Sequence, residues 1–302
     1  MGRGLDRGQG LSGGPTLTAP PAHASPRPRV RRWLTLGGLL SGPLAWLGAA
    51  YLGSLAVLLA RAFFQRDELS NRLVTSPTLD NLHTVATGAV YRNTTVRTFG
   101  IAVVVTLVDL ALALPMALYM AKLARPAVRR LMVAGVLMPL WASYVVKSYA
   151  WRALLDPVGG VLRKGLGASP GFGLAATTIT LAYLWLPYMV LPIFAGLERV
   201  PDSLLEASSD LGARSARTFA SVVVPMLRPA ILAGSIFTFS LTLGDYIAVQ
   251  FVGGTTQTIG LVIYHFFLGG DDLLAAAFAL VPVIIMGIYL GVVGRSGALE
   301  NL

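Results

Sequence analysis

Residues 198–228 read ERVPDSLLEASSDLGARSARTFASVVVPMLR and lie between two long apolar runs. Ser203 and Glu206 stand at the spacing of a capping box, in which each side chain satisfies an orphan N–H of a helix's first turn. The pattern predicts a short helix that starts at Pro201-Asp202-Ser203 and runs to Leu211. Gly212 then supplies the left-handed backbone that ends it. A second helix from about Ser215 carries the chain to Pro225 and into the next apolar run. Helix, glycine elbow and helix together form a compact lever.

The surroundings of that lever follow from composition. The 302 residues are 55% hydrophobic and only 13% charged, whereas a soluble domain carries roughly 25% charged residues. With a mean hydropathy of +0.68, the chain belongs in a bilayer. It has no cysteine and three histidines outside any HExxH pattern, which excludes disulfide frameworks, Cys-ligated metals and a zincin site. The net charge of +10 would suggest nucleic acid in a soluble protein. In a membrane protein it reports orientation through its placement, and no nucleic-acid partner is expected.

A span needs roughly 20 mostly apolar residues, and six windows qualify: 33–60, 98–121 with Asp109 inside, 131–150 with Lys147, 174–197, 229–252 with Asp245, and 273–294. The expected fold class is therefore an all-α membrane protein of six transmembrane helices. Residues 1–32, rich in Gly, Pro and Arg, are expected to be a disordered cytoplasmic leader, and residues 33–302 the membrane domain. Ala60-Arg61-Ala62 offers a small-x-small cleavage pattern, but the apolar run before it is about twice the usual signal length, so it reads as a retained helix. Lys122, Arg125, Arg129, Arg130, Arg199, Arg214, Arg217 and Arg228 all fall on the side that also holds the termini, which is expected to be cytoplasmic.

Glu206-Ala207-Ser208, then Gly212, then Val222-Val223-Val224-Pro225 resemble the EAA loop of permease subunits of binding-protein-dependent ABC importers, and the spacing fits throughout. Ser208 replaces the second Ala of that pattern, and Val222 and Val224 replace Ile and Leu. The resemblance implies a type I ABC importer permease fold whose residues 206–216 form a cytoplasmic coupling helix seated in a cleft of a separate ATPase. Ser203, Glu206, Ala207, Ser208, Asp210, Leu211, Gly212, Ala213 and Pro225 then shape or contact that joint. The segment Val146-Lys147-Ser148-Tyr149-Ala150-Trp151-Arg152, the Gly159-Gly160 turn, the run from Tyr183 to Pro192 and Leu243-Gly244-Asp245-Tyr246 look closest to the spermidine/putrescine permease subfamily.

Ionisable groups at bilayer depth need a partner or a wet cavity. If both helices are straight, Lys147 and Asp245 each lie about 24 Å from the cytoplasmic start of their span. They then form either a structural ion pair or, in the case of Asp245, an acidic element of the translocation path. Asp109 falls near mid-membrane, with Trp185 at similar depth. A cationic solute is attracted by carboxylates and by aromatic faces. The candidate path residues are Asp109, Tyr149, Trp151, Trp185, Asp245 and Tyr246, although each aromatic is equally at home as an interfacial or packing residue. Pro187 and Pro192 are expected to kink the fourth helix.

The chain has no GxxxxGK[ST] phosphate loop, so it reads as a non-enzymatic pore subunit that binds no cofactor. ATP and Mg belong on two partner ATPase subunits. The other partners implied are a second homologous permease, an extracytoplasmic solute-binding protein and the lipid bilayer of a bacterial inner membrane. The binding protein is expected on loops 152–172 and 252–272, with alternating access driven by ATPase closure. Two rival classes are weaker. Asp245 in Leu243-Gly244-Asp245 faintly resembles an intramembrane aspartyl protease site, but Thr242 stands where that motif has Gly. A secondary transporter would show repeats with paired broken helices, and six unequal spans show none. Other small solutes or metal complexes remain alternative cargoes of the same family.

Overall fold

The computed structural model describes residues 38, 40–67, 73–74 and 76–295; the expected leader, residues 1–32, lies outside them. Among the described residues the first long element is α1 (Leu40–Phe63), which contains a π-helical stretch, Leu47–Leu52. A minimal antiparallel ladder pairs β1 (Gln65–Arg66) with β2 (Leu73–Val74). Next come α2 (Asp80–Thr87) and α3 (Ala89–Leu118), which closes in a π turn, Tyr119–Leu123. They are followed by α4 (Pro126–Trp141), α5 (Tyr144–Leu155), α6 (Val161–Leu166), α7 (Leu174–Glu198) and α8 (Asp202–Asp210). Helix α9 (Ser215–Thr218) leads through a second π turn, Phe219–Val223, into α10 (Val224–Gly244). Helices α11 (Ile247–Val252), α12 (Ile259–Leu268) and α13 (Asp272–Arg295) complete the chain.

Two units emerge, residues 1–54 and 55–302. In the first, the described residues are apolar and helical and none is buried. Across the described residues, α1, α3, α7, α10 and α13 are long and apolar enough to cross a membrane. The helices α4 and α5 pass the same test only together, as a pair bent by 99°, which is the geometry of a broken span or a re-entrant loop.

Two expected spans are therefore broken. The third, expected as one helix over 131–150, ends at Trp141 because Ala142 and Ser143 are both extended, with ψ of 143° and 135°. The helix restarts when Lys147 N–H donates to Ser143 O at 3.1 Å. The fifth, expected over 229–252, ends at Gly244, and Asp245 is extended with φ −69° and ψ 127°. Both breaks hide from a hydropathy window because the apolar composition continues across them. The fourth span agrees with expectation in its bounds and stays helical through Pro187 and Pro192. Pro187, Met189, Val190 and Ile193 are buried there, and packed neighbours hold a helix across a missing N–H.

Lipid tails are as apolar as leucine, so helices in a bilayer associate through close packing rather than hydrophobic exclusion. On α3 the buried residues Ile101, Val105, Asp109, Ala113 and Ala117 recur every four positions and form one face. Ala113 and Ala117 join Met189, Ile193 and Leu197 of α7 and Leu227 of α10 in the largest buried cluster. Where α7 meets α10 the spacing is tighter still: a Cβ on Gly234 would sit 3.1 Å from Met189 Cα, and one on Gly196 would sit 2.9 Å from Ala230 Cβ. Gly234→Ala should therefore lower the stability of the detergent-purified protein by about 1–3 kcal/mol through overpacking. Gly287→Ala, with open space around it, should cost nothing; thermal unfolding of the two variants side by side checks both.

Candidate functional site

Helix α8 projects from the end of the bundle where α3 and α7 finish. Its N-cap is Pro201, and no side chain caps its first turn. The expected Ser203–Glu206 capping box does not form, because the helix already begins at Asp202 and places Ser203 inside it. The elbow does form: Gly212 has φ +75°, its N–H donates to Ser209 O at 2.8 Å, and Ala213 N–H donates to Ser208 O at 3.1 Å. Asp210 ends the helix, so Leu211, Gly212 and Ala213 belong to the turn rather than to a helix over 206–216.

One face of α8 is bound to the body. Leu205 packs on the largest core cluster beside Phe219, and the Ser208 and Thr218 hydroxyls lie 2.8 Å apart. The opposite face is open: Leu204 is 42% exposed, Leu211 is 88% exposed, and Glu206, Ala207 and Asp210 are exposed as well. Apolar residues held outward on a braced helix are what a docking face for another protein requires. Pro225 sits past the second π turn, at the start of α10.

The loop is anchored by two basic residues. Lys122 Nζ donates to Val200 O and to Asp202 Oδ1, each at 2.7 Å. Arg129 pairs with Glu198, and its guanidinium lies 5.2 Å from the Phe194 ring centroid. Both were legible in the sequence only as orientation charges.

The intramembrane polar groups separate into two environments. Asp245 is 6% exposed and anchors the break between α10 and α11. Its Oδ1 accepts from Ala248 N–H at 3.0 Å, its Oδ2 accepts from the Tyr144 hydroxyl, and its backbone carbonyl accepts from Thr258 Oγ1 at 3.3 Å. Tyr144 stacks on Trp185 with centroids 5.6 Å apart, and Trp185 meets Tyr188 edge-on at 5.9 Å. The expected Lys147–Asp245 ion pair is absent among the described residues. The 99° bend swings Lys147 off the straight path that put it level with Asp245, and its Nζ instead lies 5.8 Å from the Tyr144 ring centroid.

Asp109 is fully buried, and neither of its oxygens has a hydrogen-bond partner among the described residues; the same holds for Trp185 Nε1. Val105, one turn before Asp109 on the same face, shares a cluster with Trp185. Tyr246 is 36% exposed and stacks on Tyr264 at 4.7 Å. Both line a cavity of about 510 Å³ together with Gly244, Phe267, Arg61 and Asp272. Arg61 and Arg66 share the Asp272 carboxylate at 2.6 and 2.5 Å. Tyr149 is exposed and edge-on to Phe251, while Trp151 tilts against Tyr183 at 5.2 Å. The structure thus joins Asp245 to Trp185 through Tyr144, and places Tyr246 at a separate cavity. In the connection between α5 and α6, the N–H groups of Val158 and Gly159 hold the Asp156 carboxyl below the usual carboxylate range.

Residues 89–296 match the family model for the binding-protein-dependent transport system inner membrane component. The chain belongs to this family. It is an ABC importer permease subunit, a transport component. The Escherichia coli (strain K12) inner membrane ABC transporter permease protein YdcU is 42% identical over 283 residues, covering 87% of this chain and 90% of that one. The spermidine/putrescine transport system permease protein PotB of the same organism is 30% identical over 254 residues, covering 81% and 91%. In fold, the permease resembles a bacterial alginate ABC transporter solved with an alginate pentasaccharide-bound periplasmic protein, with TM-score 0.70 at 14% identity over 88% of this chain and 95% of that one.

Tyr144 is the permease residue that sequence reasoning missed. Its only sign was Ser143, a favoured N-cap residue interrupting an apolar run. Tyr144→Phe should destabilise the purified permease by about 1–3 kcal/mol by leaving a buried Asp245 oxygen without its donor. Lys147→Met should leave the melting temperature unchanged, and a loss equal to that of Tyr144→Phe would restore the ion-pair reading.

Proposed function

We propose that this permease forms half of a translocation path for a small cationic solute of the polyamine class, and that α8 with its elbow is the coupling element that engages a separate ATPase. The observation that carries the coupling reading is the exposure of Leu204, Ala207 and, in the turn, Leu211, on an element that Leu205 and Ser208 fasten to the body. ATP and Mg are assigned to two such ATPase subunits, with a second permease across the path and a binding protein delivering solute from outside. Both termini are assigned to the cytoplasm, since the basic residues gather at the α8 end.

The polyamine reading rests on the relatives named for spermidine and putrescine transport and on the aromatic and acidic groups near the α10 break. Tyr246 offers an exposed ring beside the cavity, a face that attracts a cation without holding it as tightly as a free charge. Asp245 contributes negative charge one residue away, although its oxygens are engaged within the chain. Trp185 lies apart from that cavity, joined to Asp245 through Tyr144, and the α5 aromatics Tyr149 and Trp151 pack on Phe251 and Tyr183. Asp109 has no exposed surface on this chain, so it is left out of the wall.

Two measurements test this. Gly212→Pro demands φ near −65° where the chain has +75° and removes the N–H bonded to Ser209. It should abolish ATP-driven uptake at equal membrane abundance, and normal uptake would overturn the coupling reading. In proteoliposomes of the complete importer, labelled spermidine or putrescine should accumulate, and Tyr246→Ala should reduce the uptake rate. Accumulation of neither polyamine would reject the cargo while leaving family membership untouched.

A further inference from the structure

Lys122 is a poor fit to the role its charge suggests. A lysine that only marks orientation extends into water, yet this side chain is 16% exposed, while its partner Asp202 is 75% exposed. Its ammonium is spent on two acceptors at the base of α8: the carbonyl of Val200, a residue 3% exposed, and the carboxylate of Asp202, the first residue of α8. These are the two residues flanking Pro201, whose side chain offers no cap. Lys122 thus ties the backbone just before α8 and the side chain of its first residue to the end of α3. The residue lies in the π turn Tyr119–Leu123 that terminates α3, and such turns are frequent at functional positions.

Four residues upstream, Glu198 closes α7 and is held by Arg129 of α4. The short connection of Arg199, Val200 and Pro201 is thereby tied at one end to α4 and at the other to α3. Downstream, α8 leans on the α9 side through Leu205 and the Ser208–Thr218 pair. A displacement applied to the open face of α8 has no slack segment through which to dissipate. It passes through the Lys122 contacts into α3, which packs along α7 and α10.

We propose that Lys122 is a positioning residue for energy coupling: a strut that makes α8 and α3 move as one body during the transport cycle. This rests on the reading of α8 as the coupling helix.

The absence of cysteine makes the test direct. In the importer co-expressed with its ATPase and permease partners, spin labels on Asp210→Cys in α8 and Val96→Cys in α3 report the separation of the two helices. Measurements are made without nucleotide and after trapping with ATP, Mg and vanadate. A strut predicts one narrow distance distribution, the same in both states. Lys122→Met should broaden it and shift its mean on trapping, and Lys122→Arg should restore the parent behaviour. Asp202→Ala, at an exposed position, should loosen the same joint without altering a span, so the proposal remains testable if Lys122→Met fails to accumulate.

A parent separation that changes on trapping, or a distribution in both Lys122→Met and Asp202→Ala as narrow and fixed as the parent's, overturns the strut. A separate Ala207→Cys variant tests the underlying reading. Its cross-linking to the ATPase subunit is the expected result, and failure to cross-link in an assembled importer would overturn the coupling helix itself, and the strut with it.

Discussion

Backbone that leaves the helix inside a bilayer must find its hydrogen bonds within the protein, and this permease leaves it twice. At the α10 break, Asp245 serves both sides of the gap: it bonds the first turn of α11 and receives the Tyr144 hydroxyl and the Thr258 hydroxyl. Tyr144 is itself the first residue after the other break. One carboxylate therefore joins the two interrupted spans, and neither interruption is complete without the other. Thr98 of α3 extends the arrangement by accepting from Ile259 N–H at the start of α12.

The opposite end of the bundle follows a different logic. There the spans stay helical, with π turns at the ends of α3 and α10, and close contact at Gly196 and Gly234 lets α7 and α10 approach without intervening side chains. Polar groups act outside this contact, at the lever, where Lys122 and Arg129 fix the loop base and Ser208 fixes its far side. The permease is thus cross-tied at the lever and discontinuous at the other end.

Much of this was legible from sequence. The bounds of α7 and α13, the elbow at Gly212 and the helix before it follow from apolar run length and from the rarity of left-handed backbone in any residue but glycine. The breaks were not, because apolar content measures partition into lipid and is indifferent to whether a run is straight. Of the two readings open for Lys147 and Asp245, the ion pair relied on equal depth in straight helices, and the chain bends by 99° between α4 and α5. The capping box failed differently, since Ser203 and Glu206 have the spacing while Pro201 and Asp202 had already begun the helix. Contacts such as Lys122 with Val200 join residues 78 apart in sequence, and no local pattern encodes them.

The π turns at Tyr119–Leu123 and Phe219–Val223 each accommodate one residue more than an α-helix would over the same rise. They flank the lever, one before it in α3 and one after it in α10. Were either turn to relax to regular α pitch with that residue kept, everything beyond it would turn by about 100°. Lys122 would then face away from Val200, or Pro225 away from its present place at the head of α10. Two extra residues, silent in composition and hydropathy, therefore set the rotational phase in which lever and bundle meet.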